Sequence, residues 1–313
     1  MPLVWIWIAG AILPACNKST HSGIDTAHST ITTLLKTSGS STYFYYAMTR
    51  TGFDAVLNSN LGPFTVFVPT DQAFGNSGLS KASLEASSDS SLKSMLSYLI
   101  ADKQLLSSSI KATDQETIES DNQSVYLTYN SNGFFINGIP IARADLVASN
   151  GVIQFITSSV PQQPKTDLFH QIHSDTTLTY LTTALNRAST NVSGFGRPND
   201  FLANVGPITF FAPTNQAFRA NGYADTSAIN AANPDSLALT MLYHFLPAIL
   251  FSTDVPGEQR SVTYLSSDSV QFNLSGASLQ VIGNHNTVPA NVLKANTMAT
   301  NGVLFTIDQV LKP

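Results

Sequence analysis

Apolar and polar positions along this chain change period in a fixed order, and the order occurs twice. Thr65-Val66-Phe67-Val68 is a β-branched and aromatic run ended by Pro69, which predicts a buried strand. Thr70 follows as a helix N-cap, its hydroxyl accepting from a free backbone N–H. Asp71 falls in the first turn, where the helix dipole favours an anion, and Ala73 and Phe74 open an apolar face. Leu92 to Leu99 and Leu237 to Leu246 carry apolar residues at helical spacing with Ser and Thr between them, which predicts amphipathic helices. After each helix the pattern becomes strand-like. Ser124 to Tyr129 leads through Asn130-Ser131-Asn132-Gly133 into Phe134 to Gly138, a predicted hairpin. Ser269 to Leu274, Ser275-Gly276 and Leu279 to Ile282 offer the same arrangement later. Asn150-Gly151 and Asn301-Gly302 precede the closing runs Val152 to Ile156 and Val303 to Ile307, and Asn-Gly is expected to supply the positive φ of a tight turn. Helices first and strands later predict an α+β fold.

The duplication is explicit in the residues. Gly62 to Phe74 returns as Gly206 to Phe218, 144 residues on. Met95 to Leu99 matches Met241 to Phe245 at 146, and Ser149 to Ile153 matches Thr300 to Leu304 at 151. Three blocks in one order mean common descent with small insertions in the second copy. Solenoid repeats run to about 50 residues, so this spacing is that of whole domains. Pro161 to Asp167, with two prolines and no apolar period, reads as a short stiff linker. The expected domains are therefore 30–160 and 168–313, joined by 161–167 and preceded by a polar tether over 17–29.

Residues 1–16 differ from the rest. Leu3 to Leu13 is almost entirely apolar, too short for a bilayer span of about 20 residues and suited to a secretory signal. It ends in Leu13-Pro14-Ala15-Cys16, and Cys16 is the only cysteine. An aliphatic residue, a small residue and then cysteine resembles a bacterial lipoprotein signal, which implies lipidation at Cys16 and a membrane anchor there. The alternative is a plain secretory signal with a chance cysteine; no Lys or Arg precedes the apolar run. Asn17 after the cysteine implies, by the same resemblance, an outer-membrane location in the cell envelope.

Charge narrows the partners. The 313 residues hold 15 Lys and Arg against 20 Asp and Glu, a net charge of −5, and charged residues are only 11% of the chain. That is no footprint for nucleic acid. Catalytic patterns are missing as well: there is no Gly-x-Ser-x-Gly elbow, no phosphate loop and no zinc spacing. His170 and His173 share a helix face near Asp167 and Asp175, which reads as a solvated face rather than a metal site. His285 reads as an exposed turn residue, and His244 as a packed histidine whose ring N–H meets a backbone carbonyl. Asp71 is no catalytic acid, because its counterpart is Asn215. The expectation is a protein with no enzymatic activity and no cofactor.

These blocks in this order resemble fasciclin domains. The resemblance rests on Thr65 to Phe74 and Thr209 to Phe218, and on Asn301 to Asp308 with Val310, Leu311 and Pro313. Asn150 to Ile156 follows the closing block less fully, with Thr157 in place of the acid. It implies two tandem domains, each a β-sandwich-like wedge covered by helices, and adhesion to an extracellular protein or polysaccharide. A Tyr-His pair of the family is present as Tyr243-His244, which implies partner contact there; Ser97-Tyr98 takes its place in the first copy. The second copy is thus expected to be the more typical binder, and the first a specialised domain or stalk. The other reading is an accessory glycan-binding subunit of an outer-membrane nutrient-uptake system, with Tyr43, Phe44, Tyr45 and Tyr46 as the candidate aromatic platform.

Overall fold

A computed structural model describes residues 28–313, apart from 60, 111–114, 121–122, 191–196, 205, 256–258, 264–267 and 276–277. Cys16, the apolar run before it, and the Ser275-Gly276 turn at Gly276 lie outside the described residues. In the first half the chain runs α1 (Ile31–Lys36), α2 (Thr42–Thr51), α3 (Phe53–Val56), β1 (Phe64–Pro69), α4 (Asp71–Asn76), α5 (Lys81–Ala86), α6 (Asp89–Tyr98), β2 (Ile100–Ala101), β3 (Gln115–Ser120), β4 (Gln123–Asn130), β5 (Gly133–Ile136), β6 (Ile139–Ala148) and β7 (Gly151–Ile156). The second half repeats this as α7 (Leu168–Ser174), α8 (Thr179–Ala188), α9 (Pro198–Asn204), β8 (Ile208–Pro213), α10 (Asn215–Ala220), α11 (Thr226–Ala231), α12 (Pro234–Tyr243), β9 (Phe245–Leu246), β10 (Gln259–Val262), β11 (Ser269–Ser275), β12 (Ser278–Ile282), β13 (Ala290–Ala299) and β14 (Gly302–Ile307).

Each half holds one seven-stranded sheet, ordered β2-β1-β7-β6-β5-β4-β3 and β9-β8-β14-β13-β12-β11-β10. β1 pairs with β7, and β8 with β14, in parallel. β1 and β7 are buried at every position, which is why their sequences read as unbroken apolar runs rather than alternating ones. Their polar members are satisfied. Thr65 Oγ1 donates to Lys103 O and accepts from Leu105 N, and Thr209 repeats the pair with Ala248 O and Leu250 N. β6 and β13 each pass from one part of the sheet to the other through a register shift, at 141–146 and 292–297. At those bulges Asp145 (φ 61°) and Asn296 (φ 57°) are left-handed. Bulges bend a strand and raise its twist. Each sheet therefore curls into a wedge, closed by helices whose Phe44, Leu92 and Leu96, or Leu181, Leu185 and Met241, share a core with the strands.

Helix starts follow the sequence, with one addition. Thr70 and Thr214 cap α4 and α10 by accepting from Ala73 N and Ala217 N. Asp71 lies in the first turn of α4, but its carboxylate caps a different helix. Oδ1 accepts from Tyr43 N at 2.8 Å and Oδ2 from Thr42 Oγ1 at 2.7 Å, at the start of α2. Asn215 Oδ1 accepts from Tyr180 N at 2.8 Å in the same place on α8. Asp and Asn exchange freely here because only an acceptor oxygen is required.

Two readings of the pattern change. A further Asn-Gly pair, Asn137-Gly138 (50° and 72°), makes up the two-residue turn between β5 and β6, while Gly151 supplies a φ of 153° just after the closing turn. At the closing hairpin Ala148 pairs with Gly151, so the loop is Ser149-Asn150, and Gly151 already belongs to β7. Glycine is needed there because a Cβ would stand 2.1 Å from Phe64 O; at Gly302 it would stand 2.2 Å from Ile208 O. The asparagine is a strut. Asn150 Oδ1 accepts from Ile31 N, and its Nδ2 donates to Leu57 O; Asn301 does the same with Leu168 N and Leu202 O. The second change is one of register. Phe67 N bonds Leu99 O where Phe211 N bonds His244 O, so the helix block repeats at 145 residues rather than 146. Tyr98 therefore answers Tyr243, and Leu99 answers His244.

Candidate functional site

Tyr243 and His244 end α12 beneath the C-terminal segment, and both have no exposed surface. Tyr243 OH donates to Ser269 O at 2.7 Å and accepts from Asn284 N at 3.0 Å. His244 Nδ1 donates to Thr240 O at 2.7 Å, and Nε2 accepts from Leu311 N at 3.0 Å. Those two partners assign the neutral ring with its proton on Nδ1. Burial pushes its pKa down to about 4, partly offset by the Thr240 carbonyl. Neither side chain offers a surface to a partner, so the contact expected of this pair is corrected to a structural lock. Helix end, sheet and C-terminal segment engage the tyrosine hydroxyl and both ring nitrogens of the histidine.

The first copy keeps the tyrosine. Tyr98 OH accepts from Asn137 Nδ2 at 2.8 Å, and burial raises its pKa to about 12. The Leu99 side chain cannot accept a bond, and the segment after β7 is held instead by Ser77 Oγ, which accepts from Val160 N. Thr157 has its own explanation. In the second copy Asp308 accepts from Asn291 N and Asn291 Nδ2, both at 2.7 Å. The counterpart of Asn291 is Pro140, which has no N–H to offer. An acid at 157 would lack its donors.

Other candidates resolve locally. Phe44 is buried and Tyr43, Tyr45 and Tyr46 are half-buried against the core, so they form no open platform. His170 Nδ1 bonds Asp167 Oδ1 at 2.7 Å, and His173 stacks on Phe169 with Nδ1 to Phe169 O. Among the described residues no cluster of His, Cys, Asp and Glu is arranged to hold a metal ion.

The concave surface that both copies build lies at their junction. Tyr126 of β4 joins a core made otherwise of second-domain residues and packs on Phe251 at 6.0 Å between ring centroids. Asn130 Nδ2 donates to Thr253 O at 2.9 Å. A Cβ on Gly138 would stand 2.8 Å from Asn296 Nδ2 and 2.9 Å from Phe251 Cβ, so the hairpin tip touches the second domain closely. Asn296 is held in turn by Ser252 N, at 2.9 Å. Asp254 follows on the same 3-10 turn; burial raises its carboxyl above the ordinary range, and the bond from Phe251 N opposes this. The linker is packed rather than free: Pro161 and Pro164 are buried, and Ser94 Oγ donates to Gln163 Oε1. Beside it lies a cleft of about 490 Å³ between the Asn137–Ile139 turn, linker residues 159–165 and the β13 bulge at Lys294–Met298. Sequence patterns did not point to this cleft, because its walls are far apart in the chain. The one available signal was a cation at the same repeat position, Arg143 and Lys294, visible only once the strands are aligned at 151 residues.

A model of the fasciclin domain matches residues 39–160 and again 177–313. Pig transforming growth factor-beta-induced protein ig-h3 is 25% identical over 254 residues, covering 80% of this chain and 35% of its own length. Human periostin is 27% identical over 263 residues, covering 80% of this chain and 28% of its own. Protein sll1483 of Synechocystis is 32% identical over 113 residues, 36% of this chain and 58% of its own. The chain thus spans about a third of the mammalian relatives. A solved FAS1 domain pair from the insect cell adhesion molecule Fasciclin I covers 88% of this chain and 97% of its own, with 18% identity and a TM-score of 0.41.

Proposed function

The chain belongs to the fasciclin domain family, through two tandem domains, and from that premise we propose that it is a cell-envelope adhesion or binding module. It recognises an extracellular protein or polysaccharide and performs no catalysis. The observation that carries this reading is the joint between the domains. Gly138, Tyr126 and Asn130 of one meet Phe251, Thr253 and Asn296 of the other, fixing two modules as one extended recognition surface. A rigid pair presents its surfaces without the ordering cost of a floppy one.

Anchoring is part of the same proposal. Cys16 carries the lipid, residues 17–29 form the tether, domains 30–160 and 168–313 project from it, and the outer membrane holds the anchor. No helix among the described residues is long and apolar enough to cross a membrane. Intact-mass measurement of the native protein tests the anchor; a chain beginning at Cys16 with acyl mass is expected, and an unmodified Cys16 overturns it. Binding of the full chain to arrays of matrix proteins and polysaccharides tests the module, and an array without any retained partner overturns it.

A further inference from the structure

The junction cleft carries charge of one sign. Lys165 of the linker and Lys294 of β13 line it, and no aspartate or glutamate does. Both lysines are exposed, and neither forms an ion pair among the described residues. This is unusual ground in a chain of net charge −5 with only 15 basic residues. The rest of the wall is uncharged: Ser159, Gln162, Gln163 and Thr297 supply hydroxyls and amides, between apolar surface from Ile139, Val160, Pro161, Pro164 and Met298. No aromatic ring lines the cleft, so a neutral sugar would find no flat face on which to stack its C–H surface. A peptide strand would find no regular edge either. β13 pairs with β12 only through Ala290 and Asn291, and its remaining edge is broken at the cleft by the bulge at left-handed Asn296.

Resting on the adhesion reading above, we infer that this cleft is a binding site for an acidic polysaccharide. Carboxylate or sulfate groups of the ligand pair with Lys165 and Lys294, and sugar hydroxyls exchange hydrogen bonds with the glutamine amides and Thr297. The lysines act as point charges on flexible stems, which suits a repeating polyanion better than one fixed pose. The site exists only when both domains and the linker are in place, which gives the duplication a use beyond avidity. Arg143, the first domain's counterpart of Lys294, does not form a second such site. Its guanidinium lies over the Phe155 ring, 5.8 Å from the centroid, and faces a separate pocket whose lining includes the Asp71 carboxylate.

The test is calorimetric titration of the full chain with oligogalacturonate and with sulfated dextran, against neutral dextran and polyglutamate. At least one of the two acidic glycans is expected to bind, more weakly as salt rises, because the contacts are exposed charges. The K165Q/K294Q double variant is expected to lose at least tenfold in affinity, while R143Q keeps it. Neither acidic glycan binding, equal binding of neutral dextran, polyglutamate binding in their place, or an unchanged double variant each overturns the assignment. If these fail while an array yields another partner, the adhesion reading stands without this site; if nothing binds anywhere, both fall.

Discussion

Nε2 of His244 accepts from the backbone N–H of Leu311, 67 residues away in sequence, at 3.0 Å. The ring must be neutral to accept, and burial holds its pKa at about 4 against 6.5 for a free histidine. In this range the unfolded chain binds the proton and the folded one does not, so stability rises with pH. Its contribution is full above about pH 6.5 and is lost as pH falls toward 4, a change of about 3 kcal/mol. Asp254, whose carboxyl is raised by burial, works in the opposite sense, its strain relieved on acidification. Thermal melts from pH 7 to 4.5 should show the second domain losing stability first. His244→Leu, which copies Leu99, should lower stability at pH 7 and flatten that slope; an unchanged slope refutes the assignment.

Asp71 reaches across to cap α2, so the prediction concerns a helix other than its own. Asp71→Ala should cost about 1 kcal/mol, the usual loss for an N-cap acceptor. Asp71→Asn should cost only a few tenths, since Asn215 performs the same task at Tyr180. Urea unfolding of the two variants gives the comparison. Equal losses would mean that the charge, and not the acceptor, matters.

Gly138 combines a φ of 72° with contact to Phe251 and Asn296, so any side chain there meets both strain and a neighbour. Gly138→Val should cost about 1–3 kcal/mol from the backbone alone and part the two domains. Small-angle scattering should report a longer particle, and proteolysis should cut near the linker. An unchanged scattering profile would show that the joint tolerates the insertion.

The pairing of Asp308 with Asn291 predicts a coupling that the first copy lacks. A double-mutant cycle with Asn291→Ala and Asp308→Ala should give an interaction energy of about 1–2 kcal/mol. Thr157→Asp alone should add nothing to the first domain, whereas with Pro140→Asn it should add stability. A gain from Thr157→Asp alone would overturn the explanation by the missing N–H.

Much of the site logic was readable only in part. The buried strand at Thr65 to Val68, the Thr70 cap and the packed state of His244 follow from local chemistry and are found as expected. The Asn150-Gly151 reading held for the positive φ of Gly151 but placed the turn one residue late, because Asn-Gly is common to turns and to close packing and local sequence does not separate them. The helix block was aligned one residue out because Met95-Leu96 matches Met241-Leu242 at 146 while Leu92 and Tyr98 match Leu237 and Tyr243 at 145, and the Phe67 and Phe211 hydrogen bonds decide between them. The partner role given to Tyr243-His244 came from resemblance, which carries no information on burial.

The duplication, the α+β class and the low charge are legible in the chain alone, because repeats, hydrophobic period and composition are properties of residues near one another. Tertiary structure alone decided which helix Asp71 caps, why Gly151 and Gly302 are glycine, and what lies between the domains. Each of these depends on groups brought together from distant positions, such as Gly138 against Phe251, or Lys165 and Lys294 on the walls of one cleft. Their distances are set by how the sheets curl at their bulges and how the linker packs, and no local pattern of residues encodes that.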